Sequence, residues 1–137
     1  MIRAVVDTSV LVSAFIGRPD AAPSRLLGAW RDGHIVFIVS RQLLDELEGV
    51  LARPKFARWS AGGRGVTFAA AIGAGSEFHV DPEPLPATRD PADDDQVALA
   101  NVARADVIVS VDRDLLDADL ANLRAVTPST VLERIPG

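Results

Sequence analysis

The sequence predicts an α/β fold with a parallel sheet covered on both faces. Three observations lead there. Short β-branched runs alternate with helical patterns, the two strongest runs each exit into an aspartate, and 137 residues with 48% hydrophobic side chains suffice for one packed core. The chain is therefore read as one domain, 1–137.

Ile2 to Val6 is an apolar, partly β-branched run ending at Asp7, the signature of a strand buried on both faces. Val10 to Phe15 continues apolar after Thr8-Ser9, where a Ser or Thr cap starts a short helix, and Gly17-Arg18-Pro19-Asp20 breaks it. From Ser24 to Asp32 the spacing of Leu26, Leu27 and Trp30 is helical, with Gly33 as terminator. Ile35 to Val39 predicts a second strand, closed by Ser40 as cap of a helix running to about Ala52, before Pro54. On that helix Leu43, Leu44, Leu47, Val50 and Leu51 form one stripe. Gly62, Gly63 and Gly65 mark a loop, Val66 to Ile72 a weaker helix, and Phe78 to Val80 a short strand. Three prolines between Asp81 and Pro86 exclude regular structure there. Asp93 to Arg104 reads as a helix, Val107 to Val111 as a strand, Leu123 to Val126 as another, and the segment after Thr127-Pro128-Ser129 as a closing helix to Ile135.

Composition removes several classes of function. With no cysteine, disulfide staples, zinc ribbons, iron–sulfur clusters and thiol nucleophiles are excluded, and two histidines, His34 and His79, do not make a multi-histidine zinc site. No apolar run is long enough to span a membrane, and charges interrupt the first seven residues, so a soluble, cytoplasmic protein without a membrane role is expected. The net charge is −5, from fourteen basic residues against nineteen acids. It is regional: between Asp90 and Asp119 nine aspartates face only Arg104 and Arg113. Aspartate is a poor helix former with a short side chain, so this enrichment points to caps, turns or hard-cation ligands.

Candidate chemistry follows from where the acids fall. Asp7 and Asp112 leave the two strongest strand runs, and in an open parallel sheet the ligand site lies beyond the carboxyl ends of the strands. Each would also serve as an ordinary helix cap. At the head of a helix, Asp93-Asp94-Asp95 places three adjacent acids where the macrodipole explains one or two; a divalent cation would turn their repulsion into attraction. Glu46 and Glu48 flank the leucine stripe on opposite sides, and periodicity does not choose between them. Hard oxygen ligands without histidine or cysteine match Mg²⁺ or Mn²⁺ and suit phosphodiester hydrolysis. Arg53, Lys55, Arg58 and Arg64, with Phe56 and Trp59 interleaved, are candidate contacts to the phosphates of a polyanion.

Four blocks of sequence carry a resemblance: Val5-Val6-Asp7-Thr8-Ser9-Val10; Ser40-Arg41-Gln42-Leu43-Leu44-Asp45-Glu46-Leu47 through Lys55-Phe56; Arg89-Asp90-Pro91-Ala92-Asp93-Asp94-Asp95; and Ala105 through Val111-Asp112-Arg113-Asp114-Leu115-Leu116. In this order they resemble the PIN-domain ribonucleases, and more narrowly the VapC-like subgroup that forms the toxins of bacterial toxin–antitoxin pairs. The resemblance spans Met1 to about Leu132. It implies a three-layer α/β/α sandwich with a central parallel sheet of four or five strands, and RNA cleavage with Mg²⁺ or Mn²⁺. Carried over by motif, the metal-binding acids are Asp7, Glu46 and Asp112, with either Asp94 or Asp93 as the fourth, Asp94 first, and Asp114 as an outer ligand. Ser9 stands where the family usually has Asn, so that side chain's hydrogen bond to the acids is expected to be shortened or replaced by water. Ser110 fills the position of the usual Thr or Ser. A cognate antitoxin and a homodimer are implied as partners.

Rival readings fit less well. A metal-dependent adhesion module needs Asp-x-Ser-x-Ser, and Asp7-Thr8-Ser9-Val10-Leu11 fails at the last position. Receiver and haloacid-dehalogenase chemistry needs a lysine beside the acids, and Lys55, the sole lysine, follows a helix beside Pro54. A PIN fold that binds RNA or an antitoxin without cutting would not require the full set of acids.

Overall fold

The computed structural model describes residues 1–83 and 91–136, with the backbone alone for residues 91–93. Five parallel strands, β1 (Ile2–Val6), β2 (Ile35–Val39), β3 (Glu77–Phe78), β4 (Val107–Val109) and β5 (Ala125–Val126), form one sheet in the order β3-β2-β1-β4-β5. The register pairs Ile2 with Ile35 and Val5 with Ile38 on one side of β1, and Ala4 with Val107 and Val6 with Val109 on the other. The central strands are apolar on both faces because both faces are covered: Ala4, Val5, Ile38, Ile108 and Val109 are fully buried.

Helices α1 (Thr8–Ile16), α2 (Ala22–Arg31), α3 (Arg41–Leu51), α4 (Ala57–Ser60) and α5 (Arg64–Ala74) lie along the first three strands; α6 (Pro91–Val102), α7 (Arg113–Leu116) and α8 (Pro128–Glu133) follow. From β1 the chain moves outward to β2 and β3, then returns past them to β4 on the far side of β1. Right-handed crossovers thus place α1 to α5 on one face and α6, which packs on β1 and β4, on the other. The result is the α/β/α sandwich expected from the sequence, with five strands. The reversal of strand order falls between β1 and β4.

Several boundaries differ from the sequence reading, each for a visible reason. Helix α1 is capped by Asp7, whose side chain accepts the Ser9 N–H, and not by Thr8 or Ser9. Strand β4 stops at Val109, since Val111 is 57% exposed. Strand β3 ends at Phe78, with Val80 in solvent, and β5 begins only at Ala125 because the Leu123 N–H turns back to the Leu120 carbonyl. The glycine loop is compact: 3₁₀ turns over Pro54–Phe56 and Ala61–Gly63 bracket α4, and the positive φ values of Gly62 (68°) and Gly63 (79°) turn the chain into α5. Of the proline-rich stretch, residues 81–83 are irregular as expected and residues 84–86 lie outside the described residues.

Helices α3 and α5 run antiparallel. Gly65 at the start of α5 approaches Leu51 at the end of α3, and Gly73 near the end of α5 approaches Leu44 near the start of α3. The sharp turn between them, Arg53 to Arg64, therefore sits at the sheet edge opposite Ser40. A separate polar tie fixes the edge strand: Arg3 on β1 hydrogen-bonds Glu77 on β3 through both Nε (3.1 Å) and Nη2, while His79 Nε2 meets the same carboxylate at 2.6 Å. Arg3 also donates to the carbonyls of Ala103 and Arg104 beyond α6. The hydrogen bond from Arg3, followed by that from His79, holds the Glu77 carboxyl at about 2, well below its ordinary 4.5.

Candidate active site

Asp7 occupies the switch point. It leaves β1 at the carboxyl edge, and its own N–H extends the ladder to the Val109 carbonyl of β4 at 2.8 Å, so its backbone is fixed by the sheet. The side chain is 8% exposed and oriented from two sides: Ser110 Oγ donates to Oδ2 at 2.8 Å and Gln96 Nε2 to Oδ1 at 3.0 Å. Ser110, fully buried at the exit of β4, also accepts the Asp112 N–H at 2.9 Å. One hydroxyl thus joins the first strand's acid to the fourth strand's exit. Asp112 then caps α7, its Oδ1 accepting the Asp114 N–H at 2.9 Å. Both Asp112 and Asp114 are half-buried.

The opposite wall comes from α3 and α6. Glu46 lines a shallow pocket with Ser40, Gln42, Asp81, Asp95 and Gln96, whereas Glu48 lines the groove between α3 and α5 with Arg41 and Leu44. The two glutamates that periodicity left equivalent therefore face different neighbours, and Glu46 is on the side of Asp7's partner Gln96. Asp94 is buried in the first turn of α6, at 9% exposure; Asp93 belongs to the same turn, but its side chain lies outside the described residues, as does Asp90. Ser9 is exposed. Its N–H reaches Asp7 Oδ1 at 3.4 Å, and among the described residues its hydroxyl forms no hydrogen bond to the acids.

Three polar residues here, Gln42, Asp81 and Gln96, are not among the candidates the sequence singles out. Gln42 donates through its N–H to Asp81 (3.0 Å) and through Nε2 to Asp95 (2.6 Å), stitching the head of α3 to the head of α6. Gln96 is the third, and it was readable: it precedes Leu99 and Ala100 by three and four residues, which places it on the buried face of α6.

Arg53, Lys55 and Arg58 are exposed at the far end of α3 from this edge. An eleven-residue helix separates them from Ser40, about 16 Å at 1.5 Å per residue. Lys55 Nζ lies 5.1 Å from the centroid of Phe56 and the Arg58 guanidinium 4.9 Å from that of Trp59. Arg64 donates to the carbonyls of Arg58 and Trp59, bracing the turn. From Gly49 to Ser76 the chain carries these four cations and no acid, and among the described residues none of the four is in a salt bridge.

Among the described residues no three Asp, Glu or His groups stand close enough to form a ready-made metal cage. The fit to a hard divalent cation is one of chemistry and place: carboxylates from four elements at or beside one sheet edge, no soft donors, and a buried amide oxygen of Gln96 with no partner. In open α/β sheets ligands lie beyond the carboxyl ends of the strands at the reversal of strand order, and here that place has carboxylates beside it. A family model for the PIN domain matches residues 3–114, and the chain belongs to the PIN-domain family, whose members are generally nucleases that use divalent metals. No curated protein matches it. Among the described residues, no helix is long and apolar enough to cross a membrane.

Proposed function

We propose that this PIN domain is an endoribonuclease that hydrolyses RNA phosphodiester bonds at the edge bearing Asp7, Glu46, Asp94 and Asp112. The observation that supports it most is the Asp7 carboxylate, buried at the switch point and held by Ser110 and Gln96 in one orientation. Asp7, Glu46, Asp94 and Asp112 would hold Mg²⁺ or Mn²⁺, with Asp93 and Asp114 as further ligands. Bound there, the cation would supply a water of lowered pKa and offset charge building on the phosphate.

The remaining work falls to the chain. Ser110 keeps Asp7 and the Asp112 backbone in fixed relation, which would let the two strand exits serve one site. Ser9 supports through its N–H. Such an acidic edge repels a polyanion, and attraction has to come from elsewhere: Arg53, Lys55 and Arg58 would contact backbone phosphates while Phe56 and Trp59 offer aromatic surface to bases. The order of the four sequence blocks supports reading it as the toxin of a toxin–antitoxin pair, a cytoplasmic homodimer restrained by a cognate antitoxin.

The test is incubation of the purified protein with RNA in Mg²⁺ or Mn²⁺ beside Asp7→Asn, which keeps the shape and removes the charge. Cleavage by the wild type and a loss of at least about 100-fold in the variant is expected, the scale of one essential electrostatic group. Binding without cleavage under any metal would make this a non-catalytic RNA-binding module. Equal cleavage by both proteins would show that the edge is not the site.

A further inference from the structure

We infer that Gln96 is a metal-site residue: its amide nitrogen sets the orientation of Asp7 and its amide oxygen is a neutral ligand for the divalent cation, an inference that rests on the proposed metal-dependent reading. An ionised carboxylate only accepts hydrogen bonds, so contact with Asp7 Oδ1 at 3.0 Å fixes the amide with Nε2 toward Asp7. The orientation follows from chemistry, and Oε1 must face elsewhere. That oxygen is buried and has no hydrogen-bond partner, on a side chain 6% exposed. Thr8 Oγ1, also buried and unpartnered, does not reach it.

A buried amide oxygen left without a donor is costly, and an ion or a water is among the few things that satisfy one in a native fold. The location indicates what. Gln96 touches Asp7 on one side and on the other lines the pocket shared with Glu46, Ser40 and Asp95. It therefore stands between Asp7, which it touches, and the pocket that Glu46 also lines, and amide oxygens are ordinary ligands of hard cations. Leucine at position 96 would fill the same space against Leu99 without an orphaned oxygen, so packing alone does not account for glutamine.

The experiment is calorimetric titration of the full chain with Mn²⁺ alone, for the wild type, Gln96→Leu and Gln96→Glu, with circular dichroism and a thermal melt confirming the fold. Gln96→Leu removes the oxygen and the donor, and is expected to weaken Mn²⁺ binding about 10- to 100-fold. Gln96→Glu keeps an oxygen ligand and loses the donor, and is expected to bind Mn²⁺ at least as tightly as the wild type. Should Gln96→Leu fail to fold, Gln96→Asn, which withdraws the oxygen by one methylene, carries the same expectation of loss. Equal Mn²⁺ affinity in the wild type and Gln96→Leu would overturn the inference and leave the metal site standing, as would equal weakening in Gln96→Leu and Gln96→Glu, which assigns Gln96 to holding Asp7 only. A wild-type protein that binds no Mn²⁺ would remove both the inference and the metal-dependent reading beneath it.

Discussion

Replacing Glu77 by glutamine removes one charge from the tie between β1 and β3 while keeping its shape. The carboxyl is held at about 2 in place of 4.5, first by the hydrogen bond from Arg3 and then by that from His79. At 1.36 kcal/mol per pH unit this sets a ceiling of about 3.4 kcal/mol. The Glu77 side chain is 35% exposed, so solvent screening reduces the contribution to about 1–2 kcal/mol. Because the folded-state value is depressed, the stabilisation is complete above the unfolded value near 4.5 and drains away as the pH falls toward 2. Urea unfolding of wild type and Glu77→Gln should therefore differ by about 1–2 kcal/mol at pH 7, equivalent to about 3–8 °C in Tm, with about six-tenths of that gap surviving at pH 3.5. A gap of the same size at both pH values would refute the electrostatic account and leave only lost packing.

Two further outcomes can be checked with standard methods. Gly75→Ala builds a Cβ 2.5 Å from Trp30 Cζ2, on a ring that donates to the Gly75 carbonyl (3.1 Å) and stacks on Phe37 at 5.5 Å, so chemical denaturation should show a loss of about 1–3 kcal/mol; an unchanged midpoint would mean that the ring moves freely. Lys55→Ala with Arg58→Ala should weaken binding of a labelled single-stranded RNA to the Asp7→Asn protein and flatten the slope of log affinity against log salt by about 1.4, or 0.7 per lost phosphate contact. An unaltered slope would take these cations out of the interface.

Legibility in the sequence followed burial. β1 and β2 were placed to the residue because strands covered on both faces are unbroken apolar runs with nothing else to be. The apolar pattern runs two residues past the end of β4, since Val111 continues it in composition while standing in solvent and Ser110 gives its hydroxyl to Asp7. The short turns between Pro54 and Gly63 were not foreseen, because glycine marks a loop without saying that it coils. In the site, charge drew attention to Asp7, Glu46 and Asp112, yet the residue touching Asp7 from α6 is neutral Gln96. The links from Gln42 to Asp81 and Asp95 join positions 39 and 53 apart, and no local pattern reports them. The remoteness of Arg58 from the acids was implicit: a helix that follows a parallel strand must run back toward the opposite edge.

The acid-free turn at one end of α3 and the carboxylates at the other make the protein an electric dipole. Four cations sit on a chain whose net charge is −5, so the remainder carries −9. A negatively charged polymer drifting toward such a body is rotated before it touches, arriving at the cationic tip and meeting the acidic end last. Encounter rate and orientation then share one dependence on ionic strength. Dilute salt would favour capture, and concentrated salt would leave collisions unguided.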